Sequence, residues 1–185
     1  MKANKPKHRL RWLPALILLA AAAYLFMYAQ AKIVHIEYAD VYLNDLPDEF
    51  DGVTLLYVSD VHIASAADAR HMQALMDQLE TFNADILLLG GDYSDVRLWD
   101  QLRCFGNTDK KSALKRTAYA QSHLWMASLA DFDAPLGKFA VQRNHDCTDA
   151  SLMESLAQGG VQLLMNEAAI IEKNGAQLAL AGVVP

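Results

Sequence analysis

Cysteine is almost absent: Cys104 and Cys147 are the only two in 185 residues, and no C-x-x-C spacing exists. A cysteine zinc site is therefore not suggested. In an oxidising compartment the two thiols could pair, but sequence does not establish their proximity, and two free thiols is the simpler reading. Positive charge is also scarce once the N-terminus is passed. Lys2, Lys5, Lys7, Arg9, Arg11 and Lys32 hold six of the sixteen basic residues within the first thirty-two positions, where no acid occurs. Ten basic residues then face twenty-two acidic ones, a formal charge of −12. Such a balance argues against a nucleic-acid partner, which needs clustered Lys and Arg. Lys110, Lys111, Lys115 and Arg116 form the single later cluster, and such runs are usually solvated faces. No internal repeat and no low-complexity tail is present, and no histidine follows His145.

The first long feature is an uncharged apolar run, Leu13 to Ala29, preceded by basic residues. Its length is close to the lower limit of about 17 residues for a helix that crosses a bilayer. The basic flank predicts a cytoplasmic N-terminus, with the rest of the chain on the extracytoplasmic side of the cytoplasmic membrane as a single-pass protein. Ala29-Gln30-Ala31 also fits a signal-peptidase pattern, so cleavage competes with anchoring. The run exceeds the usual h-region of about 7–15 residues, which favours an uncleaved anchor. Trp12, Tyr24 and Tyr28 suit the membrane interface. Residues 1–32 thus form the basic N-terminus and anchor, and 33–185 one α/β domain, since the length suits one core better than two.

Within that domain Ile33 to Tyr38 alternates and suggests a strand, and Val53 to Val58 is a nearly continuous apolar run that suits a strand buried on both faces. Met72, Leu75, Met76 and Leu79 recur at helical spacing over Ala66 to Phe82, and Asp85 to Leu89 resumes β character. The three pieces make a β-α-β unit. Val96 to Lys111 is polar and irregular, an insertion whose Trp99 and Phe105 would pack it down, and Ser112 to Leu129 regains helical spacing. Further strands are expected over Lys138 to Gln142, Val161 to Met165, Ala169 to Glu172 and Ala176 to Ala181. Asn174-Gly175 signals a hairpin. Thr148 is a plausible N-cap for a helix over Asp149 to Ala157, ended by Gly159-Gly160.

Three short motifs each follow one of these apolar runs: Asp60-Val61-His62, Gly90-Gly91-Asp92-Tyr93-Ser94-Asp95 and Asn144-His145-Asp146. In extended backbone, residues two apart point to one face, so Asp60 and His62 could grip one cation together. A carboxylate beside an imidazole suits manganese, iron or zinc better than calcium. Asp92 could bridge two cations, with Gly90 and Gly91 allowing close backbone approach. Asn144 offers a neutral amide oxygen, and His145 is placed to meet a substrate or protonate a leaving group. Asp146 could orient His145, and Asp95 could accept a hydrogen bond from a ligand. His71 and His123, in helical stretches, are read as surface or core-edge histidines rather than ligands.

D-x-H, G-D-x-x-D and N-H-D in this order resemble the calcineurin-like metallophosphoesterase superfamily, and the apolar N-terminal segment resembles its membrane-associated bacterial branch. The resemblance runs from about Val53 to the last residue. It implies a two-sheet β-sandwich flanked by helices, here preceded by one transmembrane helix. It implies two divalent metal ions held by Asp60, His62, Asp92 and Asn144, with His145 catalytic. The substrate class implied is a phosphate mono- or diester; location alone suggests a lipid or cell-envelope ester. The family pattern also has later histidines, a lone one and then a Gly-His-x-His segment, and usually glycine where this chain has Arg143. The chain is accordingly expected to be a C-terminally shortened, incomplete form of the sandwich, with weak or single-metal occupancy and a bared apolar sheet face. Arg143 would be strained if its backbone needs positive φ, and would either repel metals or attract phosphate. The alternative function is a catalytically inactive homologue that keeps part of the metal site.

Overall fold

A computed structural model describes residues 12–30, 33–144, 146 and 151–183. It divides into two compact units, Met1–Leu43 and Asn44–Pro185.

The first unit contains helix α1, Leu13–Gln30, which has no charged residue and buries none of its side chains within the protein. A helix apolar on all sides finds no stripe with which to seek a protein core. By length and composition α1 is a candidate single membrane span or signal sequence. Residues 33–43 are irregular, which corrects the strand expected over Ile33 to Tyr38. Alternation supplies a face but no partner, and Ile33, Ile36 and Tyr38 stay exposed. Without a neighbouring strand the backbone amides have no ladder to join.

The second unit is mixed α/β. Its parallel sheet has the order β1-β2-β3-β4, built from β1 (Leu55–Val58), β2 (Ile86–Leu89), β3 (Lys138–Ala140) and β4 (Gln162–Leu163). Leu55 to Val58 lie against Ile86 to Leu89 in register. Asp85 sets that register at its start: one carboxylate oxygen accepts the Thr54 N–H at 2.8 Å and the Thr54 hydroxyl at 2.9 Å.

Helices α2 (Ala66–Leu79), α4 (Thr108–Ser128) and α5 (Leu152–Gln158) contribute to a core against one face of the sheet. There Met72, Met76, Trp125, Met126 and Leu156 pack with Leu87 and Leu89. On the other face Ile86, Phe139 and Leu164 share a core with Ala169 and Ile171 of a two-stranded antiparallel hairpin, β5 (Glu167–Lys173) and β6 (Ala176–Gly182). Asn174 and Gly175 turn it with φ of 52° and 86°, the left-handed pair a tight two-residue turn requires.

β1 corrects the expectation of burial on both faces. It is an edge strand, and Leu55 and Tyr57 are 50% and 62% exposed. The hairpin core reaches Ile86, Leu88 and Phe139 but neither of these side chains. Helix α2 begins at the expected place, because the Ser65 hydroxyl accepts the Asp68 N–H as an N-cap. The insertion is more regular than its composition suggests. It holds helix α3, Leu98–Arg103, and α4 starts four residues early because the Asn107 side chain caps Lys110 N–H. Trp99 and Phe105 are exposed rather than packed down. Helix α5 starts at Leu152 with Ser151 as N-cap, and the Thr148 cap lies outside the described residues.

Candidate metal centre

Two loops that leave parallel neighbouring strands must travel together, and here they are laced by their backbones. Gly90 N–H donates to Val58 O at 2.8 Å, Asp60 N–H to Gly91 O at 3.1 Å, His62 N–H to Asp92 O at 3.0 Å, and Ile63 N–H to Tyr93 O at 2.9 Å. The lacing continues the ladder past the end of both strands and brings Asp60, His62 and Asp92 to one point. One ligand atom from each lies within 4.8 Å of the others. His62 Nε2 is 3.9 Å from Asp60 Oδ1, and its Nδ1 is 3.8 Å from Asp95 Oδ2.

The convergence differs from the extended-strand argument that anticipated it. Asp60, His62 and Asp92 have φ of 56°, 45° and 57°, in the left-handed region that disfavours side chains with a Cβ by about 1–2 kcal/mol. They are three of the six non-glycine residues with positive φ among the described residues. Their side chains meet because the backbone curls at each, not because a pleat alternates. Strain gathered on the chemically distinctive residues points to a functional constraint.

Asp92 is 5% exposed, and its Oδ1 is buried with no hydrogen-bond partner. An orphaned buried carboxylate oxygen is costly unless a cation or donor satisfies it. Two carboxylates and an imidazole fit a divalent first-row metal such as manganese, iron or zinc. The residues present therefore fit one metal ion.

Arg143 competes for the same place. Its Nη1 lies 2.8 and 3.0 Å from the two oxygens of Asp60 and 3.3 Å from Asp92 Oδ2. The stem of Arg143 passes over Gly91, where an added Cβ would stand 2.5 Å from Arg143 Cγ. Glycine there admits the arginine. Arg143 itself is not among the residues with positive φ, so the strain anticipated for it is absent. The Asp60 carboxyl is held below its ordinary range, chiefly by the Ser59 hydroxyl donating at 2.6 Å and further by the charges of Arg143 and His62.

Asp146 has a role that its sequence position did not suggest, and His145, its expected partner, lies outside the described residues. Asp146 is buried, and its carboxylate accepts Asp92 N–H at 2.8 Å, Tyr93 N–H at 3.0 Å and Arg143 N–H at 3.1 Å. Burial pushes its pKa up, and these three amides pull it down. It staples the turn after β3 to the turn after β2. Tyr93, also buried, donates its hydroxyl to Val141 O at 2.8 Å and closes the same junction.

Asn144 is exposed in the turn after β3 and lines a cavity with Asp95. His145 and Cys147 lie outside the described residues. Sequence reasoning missed the staple, because no spacing rule marks a carboxylate that caps amides more than fifty residues away. It also missed Lys111 and Lys115, which line that cavity. Their four-residue spacing was a signal that they share a helix face. No protein-family model matches the chain, and no curated protein matches it.

Proposed function

We propose that the chain is a membrane-anchored, metal-dependent phosphoesterase that hydrolyses phosphate mono- or diesters on the extracytoplasmic side. The observation that supports this most is the meeting of Asp60, His62 and Asp92 around an unsatisfied Asp92 oxygen. A divalent cation held there supplies Lewis acidity toward a phosphoryl oxygen and acidifies water for attack on phosphorus. Asp60 and His62 would hold it from the loop after β1, and Asp92 from the loop after β2. Asp95, beside His62 Nδ1, orients the imidazole. Asn144 would offer an amide oxygen to a second cation, and His145 would protonate the leaving alkoxide. Arg143 must then swing aside, which its half-exposed side chain permits.

A second reading is favoured by the same arginine: an inactive homologue in which Arg143 is the resident cation of Asp60 and Asp92. One experiment on the full chain in detergent separates the two. Hydrolysis of p-nitrophenyl phosphate esters should rise with added manganese and fall at least about a hundredfold in Asp92→Asn, the scale expected when a core ligand is altered. Arg143→Ala should tighten manganese binding measured by calorimetry. Manganese binding gained only in Arg143→Ala, with no turnover by the native chain, favours the inactive homologue. No manganese binding in either protein removes both readings.

A further inference from the structure

Beside the acidic cluster lies a cavity of about 290 Å3. One wall is a stripe of α4, where Lys111, Lys115 and Tyr119 recur every four residues and so share one face. Ser94, Asp95 and Asn144 stand among the other lining residues. Asp95 joins the cavity to the centre, its Oδ2 lying 3.8 Å from His62 Nδ1. Lys111 and Lys115 form no ion pair among the described residues. Like charges four apart on a helix repel, and cations near a helix start oppose its dipole. Both lysines are exposed, on a chain whose formal charge beyond position 32 is −12.

We propose that this cavity binds a second anionic group, the size of a phosphate, on the substrate whose scissile phosphate sits at Asp60, His62 and Asp92. The inference rests on the phosphoesterase reading for the scissile phosphate alone; the anion site stands on the lysines and the cavity. Among the charged residues of the lining, two lysines stand against the single Asp95 carboxylate, a formal excess of positive charge that favours an anion. The volume is at the lower end of the roughly 300–1,000 Å3 typical of small-molecule pockets. A compact charged group fits it, and a long acyl chain does not. Such a group belongs to a soluble bisphosphate or to a phospholipid headgroup.

The test is calorimetric titration of the full chain in detergent, without divalent metal, with inorganic pyrophosphate and separately with phosphatidic acid in mixed micelles. Lys111→Ala/Lys115→Ala should weaken binding of one or both probes by about tenfold or more, the scale of a lost charged contact. Lys110→Ala/Arg116→Ala removes the same charge from α4 outside the cavity lining and should have far less effect. Pyrophosphate alone binding indicates the soluble source, and phosphatidic acid the lipid source. No binding of either probe, or equal losses in the two double variants, overturns the proposal. Lysine-dependent binding with no manganese-dependent turnover sinks only the phosphoesterase reading. Turnover and probe binding both unchanged in Lys111→Ala/Lys115→Ala sink only the cavity.

Discussion

At the scale of single residues, the centre depends on side chains that do not touch the cation position. Asp146 is the clearest case, because one buried carboxylate satisfies three backbone amides from two turns. Removing it leaves those N–H groups unpaired in a dry junction. We expect Asp146→Ala to destabilise the second unit by about 3 kcal/mol, since each orphaned buried amide costs about 1–3 kcal/mol and water entry relieves part of that. Urea unfolding measures it, and a loss below 1 kcal/mol would mean that the turns hold each other without the staple. Sequence pointed to Asp60, His62 and Asp92 as a group that could hold a metal ion, but not to how they are held. Asp60, His62 and Asp92 were legible because acids and histidine after apolar runs are distinctive. Their left-handed backbone was not, since positive φ at a residue other than glycine leaves no mark in a hydrophobic pattern. Arg143 was legible as a misfit and illegible as a partner of Asp60.

Among the elements, the β1-α2-β2 unit was the most readable part. Its apolar runs and helical spacing agree with the Ser65 cap and with the parallel register of Leu55 to Val58 on Ile86 to Leu89. Asp85 fastens that register, and its pH response can be derived. Its carboxyl is held below the ordinary range, first by the Thr54 N–H and further by the Thr54 hydroxyl. A depressed folded-state pKa stabilises above the unfolded value of about 3.9, and the stabilisation disappears as pH falls through the folded value. Asp85→Ala should therefore lower stability by about 1 kcal/mol at pH 7, allowing for its solvent exposure, and by much less at pH 2. Equal losses at the two pH values would show that the carboxylate's charge is irrelevant to the clamp. Less readable elements failed for local reasons. Ile33 to Tyr38 had the alternation of a strand and no neighbour, and α3 is only six residues long, too short for a periodicity to declare itself.

For the whole molecule, division of labour between the two units follows from where the apolar residues go. Every residue of both buried cores lies beyond position 43, whereas α1 buries nothing. Eighteen uncharged residues in one helix suit a membrane span or a signal sequence. The full chain should stay with membranes through an alkaline carbonate wash, and deletion of residues 1–43 should release it. A full chain recovered in the wash would rule out α1 as an anchor.

Left-handed backbone at Asp60, His62 and Asp92 sets a conflict between durability and use. Glycine or asparagine would relax each of these positions, and glycine at Asp92 would also remove an unpaired buried oxygen. Laboratory evolution for heat resistance alone would thus tend to delete the centre, and any such campaign needs a metal-binding screen beside its thermal one.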